Sequence, residues 1–333
     1  MLTKNLREDF INYYRGAKHR FLKPSKCFTD DKTLFFTSAG MVQLKPYFLG
    51  EKEIDMNYSK CVNSQFCIRC GGKHNDFEIV GSDSYHLTSF DMLGSWSLNN
   101  YWKEESIRLA FEYLIKCGLD KERMYATYFE GNEEIPEDVE SREIWKKYLN
   151  ESRIVPSSMD DNFWRAADEG PCGASTEIHY DLIKDRRDVS NLVNKDDETL
   201  IEIWNIVFVE YNEKKDNNNV SNYNLLNKRF IDTGMGLQRI AMILQNKTSI
   251  YTTDFYAKLI KYVEILSLNK EYIDIYDPLN EKINTMKAIR IFADHMRTLV
   301  VALHEGAKFD SHNRGFVLKK LAKRMFINYY LYL

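Results

Sequence analysis

Twelve consecutive residues, Leu200-Ile201-Glu202-Ile203-Trp204-Asn205-Ile206-Val207-Phe208-Val209-Glu210-Tyr211, make up the chain's longest strand candidate, rich in β-branched and aromatic side chains. The polar tract Asp216-Asn217-Asn218-Asn219 follows as a solvated connection, and residues 228–232 read as the neighbouring strand. Shorter runs of the same character occupy 33–38, 61–69, 76–80, 85–93, 124–129 and 176–181. Most are not separated by helices of βαβ length, so they predict an antiparallel sheet and an α+β class. Helices are expected over 5–15, 103–116 and 140–149, packed on that sheet. From Met235 the pattern turns helical, over 237–245, 253–266, 285–303 and 315–330. This predicts a sheet domain over 1–245 and a helical domain over 246–333. No internal repeat is evident.

A length of 333 residues suits two such domains, and 44% hydrophobic residues exceed what a disordered chain carries. The formal net charge of −3 excludes a globally basic polyanion binder and an acidic tail. Charge is nonetheless local: nine Lys or Arg against three acids lie between Lys287 and Arg324. That stretch reads either as a solvated helix face or as a phosphate-backbone footprint. The opening residues lack the apolar core of a signal peptide, and no run reaches 18 apolar residues. The six scattered cysteines read as free thiols. The expectation is a cytoplasmic protein with no membrane partner.

Three segments concentrate chemistry. In Cys67-Ile68-Arg69-Cys70-Gly71-Gly72-Lys73-His74-Asn75-Asp76, a strand delivers Arg69 and paired glycines permit a tight turn able to hold a phosphate. A plain charged turn is the alternative. Zinc bound by Cys67, Cys70 and His74 would lack the second ligand pair of a finger, so no zinc is expected. In Ile231-Asp232-Thr233-Gly234-Met235-Gly236-Leu237-Gln238-Arg239, a strand ends on a carboxylate and a helix opens with Arg239 one turn in. This suits an anionic nucleotide beside a cationic amine, although tight helix-to-strand packing explains the glycines equally well. The third segment joins Trp164 and Asp168 to Gly170-Pro171-Cys172-Gly173 and Thr176-Glu177-Ile178. Its acids either coordinate Mg²⁺ or form a solvated strand face.

Taken in order, these segments resemble the catalytic domain of alanyl-tRNA synthetases, a class II aminoacyl-tRNA synthetase family. The resemblance runs from residue 1 to about 325. It also includes Leu34-Phe35-Phe36-Thr37-Ser38-Ala39-Gly40-Met41, Phe90-Asp91-Met92-Leu93-Gly94-Ser95-Trp96-Ser97 and Ile203-Trp204-Asn205. It implies the class II antiparallel sheet flanked by helices and a two-step reaction. L-alanine and ATP give alanyl-adenylate, and the alanyl group passes to the 3′ end of tRNA(Ala). The nucleophile is a carboxylate, so alignment and charge neutralisation are required and no general base is demanded.

By this resemblance Arg69 grips the α-phosphate, while adenine stacks on Phe90. Arg239 caps adenine's other face or meets the γ-phosphate, making Arg69 and Arg239 the catalytic pair. Trp164, Ile203, Trp204 and Asn205 line the nucleotide and alanine pocket, with Asn205 and Asp232 meeting the amino acid. Gly236 admits the nucleotide, and Mg²⁺ falls loosely near Glu177. In the helical part Ser311, Asn313, Arg314, Lys319 and Lys320 are expected to meet tRNA. The chain departs from the family pattern at Leu87 and Ser89, where a histidine and an aromatic are usual, which predicts weaker ATP binding. It departs again at Ser311, in place of an asparagine that helps read the acceptor-stem G·U pair. Family members continue into an editing domain and a dimerising C-terminal domain. A protein ending at Leu333 would be a monomer that binds tRNA weakly and does not edit. The competing readings are an enzyme that passes an activated amino acid to another carrier, and a silent binding module. The basic helices favour tRNA, and retention of Arg69, Asn205, Asp232 and Arg239 argues against silence.

Overall fold

The computed structural model describes residues 1–29, 34–71, 74–165, 169–268, 270–275, 277 and 279–333. Its strands are β1 (Arg20–Phe21), β2 (Lys60–Ile68), β3 (Cys70–Gly71), β4 (His74–Asn75), β5 (Ser89–Leu98), β6 (Met124–Phe129), β7 (Ile154–Ser157), β8 (Phe163–Arg165), β9 (Gly170–Asp181), β10 (Leu200–Lys215) and β11 (Ser221–Gly236). Its helices are α1 (Thr3–Gly16), α2 (Lys45–Phe48), α3 (Lys103–Lys116), α4 (Val139–Trp145), α5 (Met159–Asn162), α6 (Leu237–Leu244), α7 (Asp254–Leu266), α8 (Ile283–His304) and α9 (Asn313–Tyr332). Nine strands form one sheet in the order β1-β2-β5-β11-β10-β9-β6-β7, with β8 paired to β9. The centre is antiparallel as expected, while the edge pairs β1–β2 and β6–β7 are parallel, so the sheet is mixed.

The long strand pairs with its partner as a hairpin. Asp216 closes the turn by accepting the Asn218 and Val220 amides at 2.8 and 2.9 Å. Two expected strands do not form. Within 33–38, Thr33 lies outside the described residues, and the rest is irregular chain leading into a 3₁₀ turn at Gly40–Leu44. Residues 76–80 form a turn closed by Val80 N–H on the Asp76 carbonyl. β5 starts at Ser89, not at Tyr85. The Asp83 carboxylate captures the Tyr85 and His86 amides at 3.2 and 2.9 Å, taking those donors from the sheet.

One sheet face is covered by helices. Leu6, Phe10 and Tyr14 of α1, Ile107 and Tyr113 of α3 and Ile240 of α6 pack there against Trp204 and Phe208. The opposite face carries a smaller apolar cluster of Met41, Leu44, Phe48, Trp96, Val207 and Phe230, and beside it lies an open cavity. α8 and α9 join the first face's core through Ile289, Phe292, Leu318 and Leu321. α8 is also tied to the start of β5 by charge. Asp294 accepts the Thr88 amide at 3.0 Å, and Arg297 reaches the Ser89 carbonyl at 2.9 Å and Asp91 at 2.7 Å. Among the described residues no helix is long and apolar enough to cross a membrane.

Candidate active site

The central strands build the cavity floor from side chains that share one face. Arg69 follows directly on β2, Phe90 and Met92 come from β5, Asp232 and Gly234 from β11, Asn205 and Val207 from β10, and Glu177 from β9. Trp164, Ile203, Gly236 and Arg239 complete the group expected from sequence. Trp204 does not join it. Strand alternation turns its indole to the helix-covered face, where it is fully buried against Phe10, Tyr14 and Tyr113 with ring centroids 5.8, 6.5 and 6.1 Å away.

The two guanidinium groups stand on different aromatic partners. Arg69 lies 5.0 Å over the Phe90 ring and donates from Nε to the Ser38 carbonyl at 3.1 Å. Arg239 lies 5.0 Å over Tyr85 rather than over Phe90, and Nη1 donates to the Glu202 carbonyl at 2.7 Å and to Oε2 at 3.3 Å. Asp76 belongs to the same electrostatic group: burial raises its carboxyl pKa, opposed by Arg69, His86 and Arg239. The turn residues Gly72 and Lys73 lie outside the described residues, as does Asp168.

Asp232 is buried at the cavity wall, and loss of solvent pushes its carboxyl up to about 7, opposed by a hydrogen bond from Trp96. Glu177 is likewise raised by burial, opposed by His179. Its Oε1 accepts Asn205 Nδ2 at 3.2 Å, and Oε2 faces His179 Nε2 at 3.1 Å. Asn205 lines the cavity, and its buried Oδ1 has no hydrogen-bond partner among the described residues. Each Glu177 oxygen thus carries one hydrogen bond and keeps a further lone pair, so the carboxylate can still meet a cation. No group of three His, Cys, Asp or Glu converges on a metal position among the described residues.

Gly236 has an ordinary extended φ of −72°, and a Cβ there would meet only the Arg239 side chain at 3.5 Å. The contact is ordinary van der Waals distance, so packing does not require a glycine at this position. Gly234 differs, because a Cβ there would press on Met92 Sδ at 2.7 Å.

Sequence reasoning missed several lining residues. Asp76 was hidden in an expected strand. Glu202 reaches the cavity because the β9–β10 register shifts between Glu202 and Trp204, an irregularity with no local sequence signal. Tyr85 joins through the Asp83 turn. Leu87 does line the cavity, offering an apolar surface where a histidine is usual, whereas Ser89 is buried and accepts Arg297 and Thr298 instead.

In the helical part Ser311, Asn313, Lys319 and Lys320 are exposed on and before α9. Arg314 turns inward, donating to the Thr29 carbonyl at 2.9 Å and covering Phe28. Three further cations of the basic stretch are also taken up internally: Arg290 by Asp274, Arg297 by Asp91 and Arg324 by the Val80 carbonyl. Val317 on α9 lies beside Gly71 of β3, so this helix borders the segment that carries Arg69.

A family model described as tRNA synthetases class II (A) matches residues 5–331. Alanine–tRNA ligase of Schizosaccharomyces pombe is 42% identical, covering 97% of this chain and 34% of its own length. The mitochondrial alanine–tRNA ligase of Saccharomyces cerevisiae is 40% identical (96% and 33%), and the cytoplasmic one of Dictyostelium discoideum 41% (97% and 35%). The chain thus spans about a third of the length of the curated relatives it matches. Among solved structures, pyrrolysyl-tRNA synthetase from Desulfitobacterium hafniense aligns at 11% identity over 76% of this chain and 72% of that one, with a TM-score of 0.38.

Proposed function

The chain belongs to the class II (A) tRNA synthetases, and from that membership we propose that its cavity condenses L-alanine with ATP and passes the alanyl group to tRNA(Ala). The observation that carries this reading is that Arg69 and Asp232, from opposite sides of β5, line one cavity. A guanidinium for phosphate and a carboxylate for an ammonium are the two charges an aminoacyl-adenylate needs.

In the first step a carboxylate oxygen of alanine attacks the α-phosphorus of ATP, the bond to the bridging oxygen breaks, and pyrophosphate leaves. The nucleophile is already ionised, so the protein's contribution is orientation and neutralisation. Arg69 meets the charge growing on the α-phosphate oxygens, and Arg239 meets the departing phosphates or adenine. Phe90 and Tyr85 offer the stacking faces on which these guanidinium groups rest in the free protein. Asp232 pairs with the ammonium, joined by Asn205, whose amide nitrogen Glu177 holds and whose Oδ1 is left without a protein partner among the described residues. In the second step the terminal ribose hydroxyl of tRNA attacks the carbonyl carbon and AMP leaves. Trp164 and Ile203 bound the pocket.

Ser311, Asn313, Lys319 and Lys320 supply the exposed face for the acceptor stem, and we read the protein as acting in the cytoplasm, as the name of the Dictyostelium discoideum relative has it. Alanine-dependent ATP–pyrophosphate exchange tests the first step. Charging of tRNA transcripts with and without the acceptor-stem G·U pair, using alanine, serine and glycine, tests the second. Exchange that does not depend on alanine overturns the assignment.

A further inference from the structure

Trp96 and Asp232 face each other across the β5–β11 ladder, and the indole Nε1 donates to Asp232 Oδ1 at 2.6 Å. The indole is closely enclosed. It is fully buried among Met41, Leu44, Phe48, Val207 and Phe230. A Cβ on Gly94 would fall 2.1 Å from Trp96 Cη2, and one on Gly40 would fall 2.7 Å from Cζ2. Two glycines therefore admit this ring where no other residue would leave room. An apolar wall would be served as well by phenylalanine. A buried indole N–H is costly without an acceptor, and a buried carboxylate is costly without a donor.

We propose that Trp96 is a positioning residue for amino-acid recognition: its N–H holds the Asp232 carboxylate in the orientation and the charged form that pair with the substrate ammonium. The role rests on the alanine-activating reading above.

The surroundings of Asp232 leave this task to Trp96. β10 presents Val207 directly opposite, without charge. β2 presents the buried Cys67 thiol, itself pushed up to about 12, first by burial and with contributions from Asp91 and Asp232. Across the cavity stand Arg69, Asp76, Glu177, Glu202 and Arg239. Burial drives the Asp232 carboxyl toward its protonated form, and the Trp96 bond opposes that shift.

The test is the pH dependence of alanine-dependent exchange in the 333-residue protein and in Trp96→Phe. The variant is expected to move the acid limb of kcat/KM for alanine up by about one pH unit or more. Its alanine KM at pH 7 should rise roughly tenfold and recover toward pH 8.5, with the ATP KM unchanged. An unmoved limb overturns the proposal, as does a loss equal for both substrates at every pH. An inactive wild type overturns the alanine reading and the Trp96 role with it, whereas an active wild type with an unmoved limb overturns the Trp96 role alone. A second measurement does not depend on the variant folding. In ¹⁵N-tryptophan-labelled wild type, one of the five indole N–H resonances should titrate near pH 7 and cease to do so in Asp232→Asn. Five resonances that stay flat from pH 5 to 8.5 overturn the proposal.

Discussion

Asn205 gives its amide nitrogen to Glu177 Oε1 at 3.2 Å across the β10–β9 ladder, and this bond decides which end of the amide is left for a ligand. A carboxylate only accepts, so the NH₂ must face Glu177 and Oδ1 must remain free. Glu177→Gln removes that constraint, because a glutamine can donate to Oδ1 and turn the amide around. The expected outcome is a rise in alanine KM of about 5- to 30-fold, from loss of roughly 1 to 2 kcal/mol, with the ATP KM unchanged. Steady-state exchange at varied alanine and varied ATP checks it.

Among the described residues the Arg69 side chain is held by one hydrogen bond, to the Ser38 carbonyl, and by its place over Phe90. Arg69→Ala should cost less than about 1 kcal/mol of stability yet lower alanine-dependent exchange by about 10² to 10³. Arg69→Lys should recover only part of that loss, since an ammonium lacks the fork that matches phosphate. Thermal unfolding measured beside exchange separates the two effects. A variant that unfolds early gives Arg69 a structural duty as well, and one that exchanges normally removes it from the phosphate site.

Asp232 links activity and stability with opposite signs. Its carboxyl titrates near 7 in the folded protein and near the ordinary 3.8 when unfolded. Between those values the folded state holds a proton that the unfolded state has released. Stability therefore falls as pH rises from about 4 to about 7, and the full cost of the buried charge is present above 7. Asp232→Asn keeps an acceptor for Trp96 and removes the charge. It is expected to raise stability at pH 8 by on the order of 2 to 4 kcal/mol, with little change at pH 4, while abolishing alanine dependence of exchange. Denaturant unfolding at the two pH values checks the sign. Equal effects at both would mean that the carboxyl is not buried as a charge.

What the sequence made legible follows from what each signal measures. The helix over 103–116 is found at those limits because its apolar positions recur at helical spacing. The strand 200–211 carries its own alternation, which sets Ile203 and Asn205 against Trp204. Family resemblance placed all three in the pocket, and the alternation was the better guide to Trp204. The runs at 33–38 and 76–80 have strand-like composition, but composition does not register a turn closed by Val80 on Asp76. The Trp96–Asp232 pair joins residues 136 positions apart and depends on ladder register, which no local pattern encodes.

α9 separates two kinds of cation that the sequence counts alike. Lys319 and Lys320 are exposed, the latter with its ammonium 5.0 Å from the Phe316 ring, while Arg314 is committed to Thr29 and Phe28. Replacing both lysines by alanine should leave alanine-dependent exchange unchanged and weaken tRNA charging uniformly across transcripts. The slope of log affinity against log salt should fall by about 1 per lysine. Arg314→Ala should instead lower thermal stability through the loss of a buried-side hydrogen bond and the cover over Phe28, worth roughly 1 kcal/mol or more. Filter binding of tRNA at several salt concentrations, beside melting curves, distinguishes the two. A double lysine variant with an unchanged salt slope would mean that RNA does not lie along this face. A drop in melting temperature from the lysine changes would mean that they, too, are spent on the fold.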